Sequence, residues 1–218
     1  MCSKKGYLWI FPEKSQFRIT SGQQVMASYA ENGRSGEHFF CPSCGTGIMA
    51  KDHMIQEGES NIAVNARALF GVNPFTLEFK VRDSPYDSES VSAPFHGQLP
   101  KASGDNLKLY TGGCYCGAVT IAVKLNPLSD VEIKEDNCSI CQRNANICIY
   151  PHRDNVSIHG AENISEYLFQ RQFNGHCFCR WHWMAFQLGV SDVEALLILF
   201  KGVLTPTHTP VHLVGNSS

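Results

Sequence analysis

A short cysteine-containing pattern occurs twice in this chain, and it constrains the fold more than any other feature. HFFCPSCG runs from His38 to Gly45, and HCFCRWHW runs from His176 to Trp183. The two stretches share the His, the Phe and the first Cys, but His182 stands where the first copy has its second Cys. Cysteine and histidine are both zinc ligands, so the exchange preserves a metal-binding pattern. The repetition predicts two related units, each carrying such a pattern.

The similarity extends beyond this pattern. Cys2 precedes Pro12 by ten positions, and Cys141 precedes Pro151 by ten; both intervening stretches pass from polar residues to alternating apolar ones. The second copy opens with YTGGCYCGAVTIAVKL, which has no counterpart in the first, whereas the first copy continues past CPSCG into NIAVNARALFGVNPFTLEFKV. The predicted division is a first, N-terminally incomplete copy over 1–83, a linker rich in Ser, Pro, Asp and Gly over 84–107, and a second copy over 108–218.

The chain is predicted to be mainly β. AVTIAVKL, NICIYP, QFRITSG, VSIHG, SEYLFQRQF and TLEFKV are short runs rich in β-branched or aromatic residues and bounded by Gly, Pro or Asn. EALLILF is compatible with either a short helix or a buried strand, because a short apolar run does not distinguish them.

Composition excludes several classes of partner. The chain has 18 basic and 20 acidic residues among 218, with no dense basic run, so we expect neither nucleic acid nor an anionic membrane as partner. The apolar run ALLILF is too short to span a membrane, and the N-terminus lacks the apolar core of a signal peptide. We therefore predict an intracellular, cytoplasmic protein whose closely spaced cysteine pairs serve metal binding rather than disulfides.

Four residues of the second copy form a candidate closed zinc site. Cys114 and Cys116 lie one residue apart between glycines, which allow the sharp turn that two convergent thiols need. Cys179 and His182 supply a second close pair, and two such pairs suit a tetrahedral zinc that joins distant parts of a small β domain. The alternative is that the two first cysteines are merely small buried residues and that the histidine packs between its neighbouring tryptophans.

A second cluster stands around the CSIC segment. Cys138 and Cys141 form a Cys-x-x-Cys pair beside Asp136, and zinc held by two thiolates and a weak third ligand keeps a position open for water or a substrate thiol. The alternative is that Asp136 is a loop acid and that the pair binds nothing. Cys148 and Cys177 lie in apolar strands and are predicted to be core residues instead.

Three ordered motifs resemble a known family. GGCYCG, DNCSICQR and FCRWHW in the second copy, with MCSKKG and FFCPSCGTGI in the first, are similar to the motifs of glutathione-dependent formaldehyde-activating enzymes and centromere protein V, in the tandem arrangement of fungal members. The resemblance covers nearly the whole chain outside the linker. It implies two related zinc-stapled complex-β domains, and it departs from the family where Asp136 replaces the first Cys of the catalytic loop and Trp183 replaces a Gly. The implied ligands are Cys114, Cys116, Cys179 and His182 for a structural zinc, and Cys138 and Cys141 for a catalytic zinc.

The implied activity is that of a carbon–sulfur lyase. Zn²⁺ would bind a thiol such as glutathione and assist its addition to, or release from, a small carbonyl compound, with Asp136 as third ligand or proton acceptor. By proximity in sequence, Tyr150, His152 or Arg143 could contact the substrate. Two alternatives stay open: acid–base chemistry such as dehydration or cyclisation on another small molecule, and a non-catalytic zinc-stabilised binding module. We expect a small-molecule substrate, glutathione or its adduct being the candidate, and a homo-oligomer is compatible with the sequence.

The first copy retains only part of this equipment. Cys41 and Cys44 are similar to half a structural zinc site whose Cys-x-Cys partner is missing. They are predicted metal ligands, and one candidate for completing their site is the pair Cys114 and Cys116 of the second copy.

Overall fold

The computed structural model describes residues 6–30, 36–53, 61–81, 93–168 and 175–181, together with the backbone of three further strands at 185–186, 188–190 and 196–199. Most of the regular structure is antiparallel β-sheet, which confirms the prediction of a mainly β chain. One α-helix occurs in the described residues: α1 spans Ser139–Asn144. No helix in these residues is long and apolar enough to cross a membrane.

The first half of the chain forms one five-stranded sheet, in which the strands follow the order β1-β5-β4-β3-β2. Buried and half-buried residues alternate over the first four residues of Gly47–Asp52, so one face of the sheet packs inward. The strands are β1 Trp9–Ile10, β2 Ala27–Ala30, β3 Gly36–Phe40, β4 Gly47–Asp52 and β5 Ile62–Asn65. Short 3-10 helices occupy Lys14–Gln16, Gln23–Val25, Ala66–Ala68 and Pro74–Thr76.

The second half contains three smaller sheets. Their orders are β10-β7-β6, β11-β12-β13 and β14-β15-β9-β8. The strands are β6 Lys108–Gly113, β7 Thr120–Leu125, β8 Lys134–Glu135, β9 Ile147–Ile149, β10 Val156–His159, β11 Ile164–Leu168, β12 Gly175–Cys179, β13 Ala185–Phe186, β14 Leu188–Val190 and β15 Leu196–Leu199. The 3-10 helices are Leu128–Asp130, Arg153–Asn155 and Ala161–Asn163. EALLILF contains β15, so the strand alternative is the one that forms.

The strand order of the first sheet also occurs in the second half. There the order is divided between two sheets. In one, β9 pairs with β15 and β15 pairs with β14; in the other, β13 pairs with β12 and β12 pairs with β11. The registers match as well: Tyr29 lies opposite His38 between β2 and β3, and Tyr167 lies opposite His176 between β11 and β12.

A backbone feature occurs at the same place in both halves. Gly6 has φ +56° three residues before Trp9, and Ala145 has φ +46° three residues before Cys148. Ala145 ends α1 in the left-handed conformation, which is unfavourable for a residue with a Cβ atom. The same turn therefore enters β1 and β9.

Two clusters of buried residues form the core of the second half. One lies between β6, β7 and β9, and the other lies where the turn after β6 meets β12. Their buried members are Tyr110, Ile121, Val123, Leu125 and Ile149 in the first cluster, and Cys114, Val119, Cys177 and Cys179 in the second. The second cluster therefore brings Cys114 of the Cys-x-Cys turn together with Cys177 and Cys179 of β12.

The two halves are in direct contact. A Cβ atom built on Gly45, in the CPSC turn of the first half, would lie 3.1 Å from Cγ of Phe178 on β12. The guanidinium of Arg67 donates a hydrogen bond of 3.4 Å to the carbonyl oxygen of Gln142 in α1. The part of the predicted linker that the structure describes, 93–107, carries no strand, and its backbone is hydrogen-bonded to the second half through Ala102, which contacts Asp154 and Lys124.

Two predicted strands do not form. QFRITSG begins at the end of a 3-10 helix and continues as irregular chain, and TLEFKV follows Pro74–Thr76 without pairing to any described strand. In TLEFKV the apolar side chains have no sheet to cover: Phe79 is 64% and Val81 is 81% exposed. Alternation alone does not make a strand when the ladder partner is missing.

Candidate metal centre and thiol cluster

The Cys-x-Cys turn is set by backbone hydrogen bonds between β6 and β7. The N–H of Cys114 donates to the carbonyl oxygen of Val119 at 2.8 Å, and the N–H of Gly117 donates to the carbonyl oxygen of Cys114 at 3.1 Å. Gly117 adopts φ +75°, a left-handed conformation that glycine takes without steric cost. The tight turn aims both cysteine side chains toward the end of β12.

Cys114, Cys116 and Cys179 form a group that could hold a metal ion. Their sulfur atoms all lie within 4.8 Å of one another, with 3.3 Å between Cys114 and Cys116 and 3.7 Å between Cys116 and Cys179. Zn–S bonds of about 2.3 Å in a tetrahedral site place neighbouring sulfurs about 3.8 Å apart. The spacing and the donor chemistry of the three thiols therefore fit a tetrahedral ion such as zinc.

Backbone N–H groups donate hydrogen bonds to two of these sulfurs, but the pKa values of the two thiols shift in opposite directions. The backbone N–H of Val119 donates to Sγ of Cys114 at 3.2 Å, and the N–H of Ala118 donates to Sγ of Cys116 at 3.4 Å. A hydrogen bond with the Cys179 thiol lowers the pKa of Cys114 despite its burial, whereas burial raises the pKa of Cys116. Both amide donors would also stabilise metal-bound sulfur.

The site joins two distant segments. Cys114 and Cys179 are buried, and Cys116 is exposed, so the group lies at the edge of the core. The ring of Tyr115, between the two cysteines of the turn, meets the ring of Tyr29 edge-on with 6.4 Å between centroids. His182, predicted as the fourth ligand, lies outside the described residues.

The Cys-x-x-Cys pair occupies the first turn of α1. Cys138 is the residue before the helix, and its carbonyl oxygen accepts a 2.9 Å hydrogen bond from the N–H of Gln142. Cys138 is exposed, while Cys141 is buried with 3% of its surface accessible. The pKa of Cys141 is raised, chiefly by burial and then by the neighbouring Cys138 thiol. One thiol thus faces solvent directly in front of a buried one.

Asp136 faces a tyrosine rather than completing a three-ligand group with these thiols. Its Oδ2 lies 3.5 Å from the hydroxyl of Tyr150. Burial, followed by the Asp136 charge, raises the pKa of Tyr150 to about 12. Within the described ranges, the group of three ligand atoms within 4.8 Å is the one at Cys114, and Asp136 with Cys138 and Cys141 does not meet that distance.

A buried histidine and asparagine lie behind the thiol pair. His176 is 2% exposed, its Nδ1 lies 3.4 Å from Nδ2 of Asn146, and burial lowers its pKa to about 4. Asn146 is 1% exposed, and its side chain lowers the pKa of the Cys141 thiol against the larger effect of burial. Sequence reasoning used His176 only to align the two copies and did not consider Asn146. The sequence does mark Asn146, because it is a polar residue between Cys141 and Cys148 where the chain becomes apolar.

The remaining predicted residues divide between core and local structure. Cys148 and Cys177 are buried, as predicted, and burial raises the pKa of Cys148 to about 12. The guanidinium of Arg143 donates to the Ser139 carbonyl oxygen at 2.8 Å, and the ring of His152 accepts from the backbone N–H of Asp154. The side chains of Arg143 and His152 therefore form hydrogen bonds with the backbone of their own helical turns.

Cys41 and Cys44 form a compact turn in the first half. The N–H of Gly45 donates to the Cys41 carbonyl oxygen at 2.9 Å, and the N–H of Cys41 donates to the Thr46 carbonyl oxygen at 2.9 Å. Burial opposes ionisation of Cys41, but the backbone N–H groups of Cys44 and Ser43 lower its pKa. The structure places Cys179, and neither Cys41 nor Cys44, in the group with Cys114 and Cys116.

Fold and site together define a mainly β protein with a cysteine cluster that could bind a metal ion. No family model matches the chain. A crystal structure of a Rhodobacter sphaeroides protein is similar to part of it, with 28% sequence identity over 46% of this chain and 91% of that chain, and with a TM-score of 0.38.

Proposed function

We propose that this chain is a zinc-dependent enzyme of the carbon–sulfur lyase type, acting on the adduct of a thiol such as glutathione with a small carbonyl compound. The observation that carries the proposal is that Asp136, two residues before the exposed thiol of Cys138, lies 3.5 Å from the hydroxyl of Tyr150. Such a site offers both an anchoring point for sulfur chemistry and a route for one proton.

We also propose that the chain consists of two related domains, of which the second carries the zinc staple and the active site. The shared strand order, the Tyr–His pairing in both halves and the left-handed turns at Gly6 and Ala145 support a duplication. In the first half Tyr7 stacks on His38 with 5.6 Å between ring centroids. The position equivalent to Tyr7 is Asn146, so the histidine of the second half meets an amide where the histidine of the first half meets an aromatic ring.

Two metals are assigned by donor chemistry. Cys114, Cys116 and Cys179 would hold a structural zinc, with His182 as the fourth ligand that the family resemblance implies. Cys138 and Cys141 would hold the catalytic zinc, which lowers the pKa of a substrate thiol when bound. Two soft thiolates suit zinc, and the absence of a third protein ligand among the described residues leaves room for the substrate thiol.

The residues of the chain account for the proton. As the sulfur attacks the carbonyl carbon, the S–H proton passes to Asp136, and Tyr150 donates its O–H proton to the carbonyl oxygen. The proton on Asp136 then returns to Tyr150 across 3.5 Å, so that neither residue changes over the cycle. A pKa of about 12 keeps Tyr150 protonated at neutral pH, as a proton donor must be. Release of the thiol follows the same steps in reverse.

The test is the rate of exchange between glutathione, formaldehyde and their hydroxymethyl adduct, measured by NMR with isotope-labelled formaldehyde on zinc-loaded protein. We expect Cys138→Ser to abolish the enzyme-dependent rate and Tyr150→Phe to reduce it by about 10²-fold or more. Tyr29→Phe and Cys148→Ala are matched controls that should leave the rate unchanged. A wild-type chain that accelerates no aldehyde adduct, or a Cys138→Ser variant as active as wild type, would refute the proposal.

A second candidate function is acid–base catalysis without a metal at the thiol pair. The observation that favours it is that Asp136 approaches Tyr150 and not the two sulfurs. Zinc confined to the Cys114 group, with activity that survives Cys138→Ser but not Tyr150→Phe, would select this candidate. Zinc there and no activity on any small carbonyl compound would instead select a binding module.

A further inference from the structure

The thiol pair of α1 is arranged as a dithiol that can react as well as bind metal. Cys138 is exposed, and Cys141, three residues further along in the first turn of the helix, is 3% exposed. Residues three apart in a helical turn have Cβ atoms about 5–6 Å apart, and a small shift of the extended backbone at Cys138, which precedes the helix, would bring the pair to the roughly 3.5–4.5 Å that a disulfide needs. The N–H of Gln142 bonded to the Cys138 carbonyl oxygen holds the pair in that turn.

We propose that Cys138 and Cys141 form a redox-active dithiol that reduces low-molecular-weight disulfides by thiol–disulfide exchange. The exposed sulfur of Cys138 attacks one sulfur of a disulfide RSSR, which releases one RSH and leaves a mixed disulfide on Cys138. The sulfur of Cys141 then attacks Sγ of Cys138, which forms the protein disulfide and releases the second RSH. RSSR gains two electrons and the two protons of the protein thiols, and the dithiol is oxidised.

The asymmetry of the pair is what the reaction requires. An attacking thiol must be reachable by a soluble disulfide, and Cys138 is the exposed member. A resolving thiol must be within reach of the mixed disulfide yet shielded from external disulfides, and Cys141 is the buried member. Cys148 is 0% exposed and sits on β9, so it does not compete for the first attack.

This activity does not rest on the proposed lyase function, because it needs no metal. It uses the same two sulfurs, however, so metal and disulfide exclude one another. A zinc ion held by both thiolates would block the first attack, and a disulfide would remove both ligands. The two states give the site a way of responding to the redox state of its thiol substrate.

The sequence offers a direct readout. Trypsin cleaves after Lys134 and Arg143, so Cys138 and Cys141 fall in one peptide, EDNCSICQR, that contains no other cysteine. Cys148 falls in the next peptide, NANICIYPHR, which serves as an internal control for unfolding. The reduced full-length chain is treated with glutathione disulfide, before and after chelation, remaining thiols are alkylated, and the peptides are weighed by mass spectrometry.

We expect the wild-type peptide EDNCSICQR to lose two hydrogens and to carry neither glutathione nor alkylating reagent, while NANICIYPHR stays alkylated. In Cys141→Ser the mixed disulfide should persist on Cys138, and in Cys138→Ser the peptide should remain reduced. Both thiols staying reduced with and without chelation, glutathione persisting on the wild-type peptide, or a bond from Cys138 to Cys148 would each overturn the proposal. Preincubation with excess Zn²⁺ should protect the peptide; exchange that is indifferent to zinc would count against the catalytic metal site and leave the dithiol chemistry intact.

Discussion

Replacing Gly45 by alanine tests the packing of the first half of the chain against the second. Gly45 adopts φ +71°, and an added Cβ would lie 3.1 Å from Cγ and 3.2 Å from Cδ1 of Phe178. The left-handed conformation costs a residue with a Cβ about 1–2 kcal/mol. Overpacking against a buried ring adds about 1–3 kcal/mol. We therefore expect Gly45→Ala to lower the free energy of unfolding by roughly 2–5 kcal/mol.

Gly71→Ala is the matched control. Gly71 has nearly the same backbone angle, φ +72°, but an added Cβ would meet nothing within 4 Å. It should lose only the conformational term, about 1–2 kcal/mol. Urea unfolding at fixed zinc concentration measures both variants, with the slope of the transition checked for constancy. Equal losses in the two variants would mean that the CPSC turn does not rest on Phe178.

Three further perturbations follow from the structure. Ala145→Gly should raise the free energy of unfolding by about 0.5 kcal/mol in urea unfolding, because relief of left-handed strain outweighs the lost methyl group; a loss of stability would contradict the strain. Because burial lowers the pKa of His176 from 6.5 to about 4, the unfolded chain binds the extra proton, and stability should be full above pH 6.5 and fall by up to about 3 kcal/mol toward pH 4; His176→Asn should lack this decline, and parallel pH profiles would refute it. Cys114→Ser should lose one metal equivalent and unfold or aggregate, whereas Cys138→Ser should stay folded; a folded, zinc-replete Cys114→Ser protein would refute the structural assignment.

Local pattern was sufficient where the predicted strand found a neighbour to pair with. AVTIAVKL forms β7 and VSIHG forms β10, and the four residues of β10 pair with Thr120–Val123 of β7. TLEFKV has the same alternation but finds no described strand to pair with. Strand formation depends on a ladder between segments distant in sequence, and a single segment carries no information about its partner.

The cysteine motifs were more informative than the strand patterns, because ligands that lie close in sequence need no distant partner to come together. One turn brings Cys114 and Cys116 together, as the flanking glycines indicate. Cys179 joins them because β12 packs against that turn in the second core cluster. The Asp136–Tyr150 contact was not predictable, because it joins the segment before α1 to the end of β9. The polar lining at Asn146 was missed because asparagine in a short loop is usually a turn residue.

The two histidines of the repeated pattern have the same backbone position but different side-chain neighbours. His38 and His176 each lie opposite a tyrosine on the neighbouring strand, so the sheet treats them alike. Yet the rings of Tyr7 and Trp9 pack within 6 Å of His38, with centroid distances of 5.6 and 5.8 Å, while His176 meets an amide. The described neighbours of His38 are therefore aromatic rings, whereas the Asn146 amide also lowers the pKa of the Cys141 thiol. If the halves arose from one ancestor, as we propose, substitutions at the entrance to β1 or β9 would account for an aromatic ring in one half and an amide in the other. The repeated pattern therefore predicts the position of the histidine in the sheet. The residues near β1 or β9 determine whether its neighbours are aromatic rings or polar groups.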